Sequence, residues 1–214
     1  MGNVRKTVAG VLLAAGEGSR FGRPKALLEW DGQTLAERGV DMLLAGGAAP
    51  VLVVAGAARI ELPAERRVQI VHNEEWRTGM GSSLRAALRV IPPDADAAVV
   101  ALADQPLVGP AAVARLIAAY RAGAEVAVAA YEGQLRNPVL LAREHWPEVI
   151  DLAAGDQGAR VFLRARPDLV TLVECGDTGR PDDIDTPADL GRVAGRHGGS
   201  AGRPAGQHRP PAPQ

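Results

Sequence analysis

Leu12-Leu13-Ala14-Ala15-Gly16-Glu17-Gly18-Ser19-Arg20-Phe21-Gly22-Arg23-Pro24-Lys25 follows an apolar run that begins at Thr7. Such a run, closed by glycines, reads as a strand buried on both faces. In an open α/β sheet the loop leaving the carboxyl end of a strand borders the ligand crevice. Gly16, Gly18 and Gly22 admit positive φ and let backbone N–H groups approach an anion, while Ser19, Arg20 and Lys25 add donors and charge. The stretch reads as a phosphate cradle. A dinucleotide fingerprint needs G-x-G-x-x-G, and here the third glycine comes one residue late. A Walker A loop needs Gly-Lys followed by Ser or Thr, which Arg23-Pro24-Lys25-Ala26 does not supply. An ordinary strand-to-helix turn would hold glycines too, but not this density of glycines and cations.

Outward from the loop, Val51 to Ala55, Val68 to Val71, Ala97 to Ala103 and Val126 to Ala130 repeat the buried-strand character. Between them apolar residues fall at helical spacing: Leu35, Val40, Leu43 and Leu44; Leu84, Ala87, Leu88 and Ile91; Val113, Leu116, Ile117 and Tyr120. Alternating strand and helix predicts an α/β fold on a mostly parallel sheet. Asn137 to Arg166 is less regular, with a short apolar run at Pro138 to Leu141 and helices around Glu144 to Leu152 and Gly158 to Arg164. A last strand, Leu169 to Glu174, precedes an acidic segment and a short helix from Thr186 to about Val193. From Gly195 to Gln214 no apolar periodicity remains, which predicts a disordered tail behind one domain spanning residues 1–194.

At 214 residues, 47% of them hydrophobic, the chain can bury a substantial core. Its one cysteine, Cys175, has no partner for a disulfide, which fits a reducing compartment and points to the cytosol. No segment reaches the roughly 20 apolar residues of a membrane span, and no signal peptide is read. With 24 Lys plus Arg against 25 Asp plus Glu, there is no general attraction to nucleic acid, so an anionic ligand needs a local site.

Three further segments carry candidate chemistry. Asn73 to Leu84 contains Gly79-Met80-Gly81-Ser82-Ser83, a glycine turn whose serines can cap the helix that follows. His72, a lone histidine ending a strand, reads as a packing residue and is left out of the catalytic set. Asp104 emerges from the end of Ala97 to Ala103, and Asp182-Asp183-Ile184-Asp185-Thr186-Pro187 offers a second source of carboxylates. Magnesium prefers one or two carboxylates together with phosphate oxygens, and Asp183 and Asp185 share a face if extended. Asp104 could instead form a turn, and Asp185 could cap a helix starting near Pro187.

At these residues the chain resembles the MobA-like nucleotidyltransferases, in particular the molybdenum cofactor cytidylyltransferases, which share Leu-Ala-Ala-Gly, Gly-Met, a strand-ending Asp-x-Pro and Asp-Ile-Asp-Thr-Pro. The resemblance covers about residues 7–192 and implies a Rossmann-like three-layer α/β/α fold. It implies that Leu13, Ala14, Ala15, Gly16, Gly18 and Ser19 wrap the nucleotide, and that Arg20 and Lys25 neutralise phosphate charge. Gly79, Met80, Gly81 and Ser82 would line the base and ribose. Asp104 would be the main Mg2+ ligand, completed by Asp185 or Asp183. Asn137 and Arg160 fall in segments that border the family's acceptor pocket, although Arg136-Asn137 stands where Gly-His is usual. The implied reaction is attack by an acceptor phosphate on the α-phosphorus of CTP, with Lys25, Arg20 and Asp104 as catalytic groups. The acceptor would be of the molybdopterin type and the client a molybdenum hydroxylase. Two alternatives stay open: a guanylyltransferase using GTP, whose relatives tend to carry Ala-Gly-Gly at the loop, and a non-catalytic cofactor-binding accessory protein.

Overall fold

A computed structural model describes residues 6–64, 68–189 and 191. The expected tail at 195–214 lies outside these residues. So do residues 190, 192 and 193 of the expected last helix, although a helical turn begins at Pro187.

Seven strands form the central sheet: β1 (Val8–Leu13), β4 (Val51–Ala55), β5 (Val68–His72), β6 (Ala97–Leu102), β7 (Val126–Tyr131), β8 (Gln134–Ala142) and β9 (Val170–Glu174). Their order is β5-β4-β1-β6-β8-β7-β9. Every pairing is parallel except those of β8, which runs antiparallel to both β6 and β7. The hairpin from β7 to β8 turns through Glu132 and Gly133, both at positive φ (53° and 73°), the geometry of a type I′ turn. Two short strands, β2 (Glu29–Trp30) and β3 (Gln33–Thr34), make a separate antiparallel ribbon.

Both faces of the sheet are covered, which explains why β1, β4 and β7 are apolar without alternation. Val8, Leu12, Val51 and Val99 face α1 (Leu35–Ala45) and α3 (Pro110–Arg121). Val11, Leu52, Val54 and Val128 face α2 (Met80–Val90), α4 (Trp146–Leu152) and α5 (Arg160–Ala165). Leu12, Leu52, Leu84, Leu116 and Leu140 are fully buried. Each such side chain contributes about 1.5–3 kcal/mol relative to exposure. The result is a three-layer α/β/α fold of the Rossmann-like type. Helix α1 begins at a capping box in which Thr34 Oγ1 accepts from Glu37 N at 3.1 Å and Glu37 Oε2 accepts from Thr34 N at 2.8 Å. Among the described residues no helix is long and apolar enough to cross a membrane.

Candidate active site

Strands β1 and β6 are neighbours and parallel, so their carboxyl ends open on the same edge of the sheet. There the loop after Leu13 and the turn at Asp104 border a cavity of about 360 Å³. Leu13, Ala14, Ala15, Gly16, Gly18, Ser19, Arg20 and Lys25 line it from the β1 side, and Asp104 and Asp185 from the other. Gly79 and Met80, at the start of α2, form a third wall.

The loop is built to present its amides. Gly18 sits at φ 64°, and a Cβ there would lie 2.2 Å from the Arg23 carbonyl oxygen, so the chain doubles back closely on itself. Phe21 N donates to Gly18 O at 2.8 Å and closes the turn. The amides of Gly16, Glu17, Gly18 and Ser19 have no hydrogen-bond partner among the described residues. Successive N–H groups of this kind make an anion cradle.

Charge gathers at the cavity floor. Lys25 Nζ donates to Asp104 Oδ2 at 2.9 Å and to Asp185 Oδ1 at 2.6 Å. Arg20 Nη1 stands 3.5 Å from Asp185 Oδ2. Burial pulls the Lys25 pKa down, but the Asp104 charge and the hydrogen bonds to both carboxylates outweigh it, so the ammonium is held above its ordinary value. Asp185 is available for this role because Thr186 caps the following turn, its Oγ1 accepting from Asp189 N at 3.3 Å.

Five expected site residues do not line the cavity. Gly81 packs against backbone, where a Cβ would stand 2.7 Å from Ala154 N. Ser82 is buried: its Oγ accepts from Asn73 Nδ2 at 2.8 Å and donates to Gly79 O at 2.8 Å. Ser83, one residue on, lines the cavity instead. Asp183 Oδ1 accepts from Gln105 Nε2 at 2.8 Å, and burial pushes its carboxyl above the ordinary range. Asn137 is half-buried on β8. Val139 pairs with Val100, and beyond that pair β8 leads to Asn137 while β6 leads to Leu102, at the cavity edge. Arg160 is exposed at the start of α5.

Trp76, Asp156 and Glu17 line the cavity and were not among the expected residues. Trp76 follows a polar stretch and ends against Gly56 and Ala15, where a Cβ on Gly56 would lie 2.6 Å from the Trp76 Cβ. An aromatic beside the glycine turn was a usable signal.

The donor set suits a divalent cation. Two carboxylates already share one positive group, the Lys25 ammonium, at the point where a hard cation would sit beside the anion cradle.

Comparison with known proteins bears on the fold and the family. Nicotine blue oxidoreductase of Paenarthrobacter nicotinovorans is 41% identical over 206 residues, covering 87% of this chain and 96% of that protein. The crystal structure of a Mycobacterium tuberculosis Rv0371c homologue from Mycobacterium sp. strain JC1 superposes with a TM-score of 0.77 at 32% identity, covering 88% of this chain and 96% of that one. The Mycobacterium tuberculosis H37Rv Rv0371c structure, a complex with manganese, matches with a TM-score of 0.68 at 27% identity over 89% of this chain and 98% of that one. The MobA-like NTP transferase domain matches residues 10–170, and with the cradle, the paired carboxylates and the sheet order in place, the chain belongs to the MobA-like NTP transferase family.

Proposed function

We propose that the chain transfers CMP from CTP, with Mg2+, to a phosphate-bearing acceptor of the molybdopterin type and releases pyrophosphate. The observation that carries this reading is the Lys25 ammonium clasped by Asp104 and Asp185 next to unpartnered loop amides. The amides of Gly16 to Ser19 bind the phosphates. Lys25 and Arg20 neutralise charge that builds on them, and Asp104 and Asp185 hold the cation. When bound, Mg2+ supplies a Lewis acid that polarises the phosphoryl oxygens. Trp76 offers its ring to the base. Ala14-Ala15-Gly16 supports cytidine over guanosine, since guanylyl relatives tend to carry Ala-Gly-Gly there. Asn137, near the end of β6, borders the acceptor. The setting is the cytosol and the client a molybdenum hydroxylase.

The 41% identity to a protein named an oxidoreductase supports a second reading, in which the same crevice holds a nucleotide coenzyme for electron transfer. Pyrophosphate release measured with each of the four NTPs, with and without molybdopterin, separates the readings. Release with CTP and molybdopterin supports the first, and release with GTP reassigns the base. No release with any pair, with consumption of a reduced nicotinamide coenzyme, establishes the second. Neither activity leaves the accessory-protein reading.

A further inference from the structure

Gln105 follows Asp104 directly and is 6% exposed. Its Nε2 donates to Asp183 Oδ1 at 2.8 Å and reaches Pro181 O at 3.4 Å, joining segments 78 residues apart. An ionised carboxylate can only accept, so the amide turns its Nε2 to Asp183, and its Oε1 is buried without a partner among the described residues. Next along, Ile184 N donates to the Asp104 carbonyl at 2.8 Å. The Ile184 side chain points away, fully buried among Leu28, Trp30 and Leu35. Arg180 N donates to Leu107 O at 3.0 Å and continues the seam. Asp185, the next residue after this anchored pair, is the one that meets Lys25.

We infer that Gln105 is a positioning residue for the metal site and that Asp183 is its acceptor rather than a metal ligand. This rests on the reading of Asp104 and Asp185 as the cation's carboxylates. One amide-carboxylate bond and one backbone bond pin the 183–185 strip to the turn after β6, so the gap between the Asp104 and Asp185 carboxylates is set from behind. Without the Gln105 N–H, the Asp183 carboxylate loses its tether to the turn after β6, the strip is held there by backbone bonds alone, and it is free to shift. Asp185 shifts with it.

The test is Mn2+ binding to the full-length protein without nucleotide, read by the electron paramagnetic resonance of free Mn2+. Asp183→Asn keeps an acceptor for Gln105, so its Kd stays within about threefold of wild type, whereas Gln105→Leu weakens binding about tenfold or more. Gln105→Asn folds with a smaller change in packing, is one methylene too short to reach Asp183, and shows the same weakening. Asp104→Asn and Asp185→Asn lose binding. In turnover at saturating Mn2+, the Gln105 variants lower kcat and leave the KM for nucleotide near wild type. Loss of Mn2+ in Asp183→Asn equal to that in Asp185→Asn overturns the inference by making Asp183 a ligand. Wild-type Mn2+ affinity in both Gln105 variants overturns it by making the bond idle. Wild-type Mn2+ binding without pyrophosphate release defeats the transferase reading alone and leaves the positioning role standing.

Discussion

Lys25 Nζ lies 2.6 Å from Asp185 Oδ1, although 160 residues separate them in the chain. The contact joins the glycine-rich loop to the acidic segment, and Asp104 completes it from the end of β6 at 2.9 Å. Lys25→Met therefore removes both the floor of the cradle and the group that balances two carboxylates. The expected result is a fall in kcat of about 10²–10³-fold, read as pyrophosphate release under saturating nucleotide. Lys25→Arg does not restore it, because a planar guanidinium cannot take the place of a compact ammonium between two carboxylates.

Trp76 borders the cavity, whereas Trp30 and Trp146 are each 4% exposed. Nucleotide titration changes the intrinsic fluorescence, and Trp76→Phe removes most of that response. Trp76→Ala weakens nucleotide binding by about 1–2 kcal/mol, about tenfold in Kd, as loss of a stacking surface requires. The fluorescence titration itself, and calorimetry for the alanine variant, check this.

Gly79 holds φ 106°, and a Cβ there would stand 2.4 Å from the Gly155 carbonyl carbon. Gly79→Ala forces the start of α2 away from Gly155 and Asp156. The strain costs about 1–3 kcal/mol, and each kcal/mol lowers Tm by about 2–4 °C in a domain of this size. Thermal melting by circular dichroism measures it, and nucleotide binding weakens in parallel because Met80 moves too.

Tyr131 is 6% exposed, and burial, with the neighbouring Cys175, pushes its phenol up to about 12. The folded state holds this proton more tightly than the unfolded chain does. The contribution to stability is therefore fully present below about pH 10 and is lost as pH rises from there through about 12. Ultraviolet titration of the phenolate shows no Tyr131 ionisation near pH 10. Comparison with Tyr131→Phe isolates its signal from that of Tyr120.

The parts of the fold that read directly from sequence are those where local chemistry and tertiary environment agree. Val51 to Ala55 is apolar at every position because both faces of β4 are covered. The same logic places the glycine-rich loop at the cavity, because its glycines and cations are adjacent in the chain. Strand β8 was visible only as Pro138 to Leu141, because its outer half, Gln134 to Arg136, is exposed and polar. Its hairpin turn, Glu132-Gly133, lacks the Asn-Gly signature that would have announced an antiparallel strand. At the cavity, Ser82 and Ser83 differ by about 100° of helical rotation, which a glycine turn of uncertain register does not specify. Asp183 and Asp185 are indistinguishable in sequence. Their partners in the fold tell them apart: Asp183 meets Gln105, 78 residues away, and Asp185 meets Lys25.

The balance of charge at Lys25 also bears on the order in which ligands arrive. Around Lys25 itself two carboxylates meet two cationic side chains, so the charge at this point is paired before any ligand arrives. A free metal must displace an ammonium that is already bonded on two sides. On the proposed reading, a metal–nucleotide complex would offer Lys25 new oxygens, and Asp104 and Asp185 would be the residues to hold the ion. Loading is thereby cooperative: a metal ion alone competes with this internal counter-ion and binds more weakly than it does once nucleotide is present.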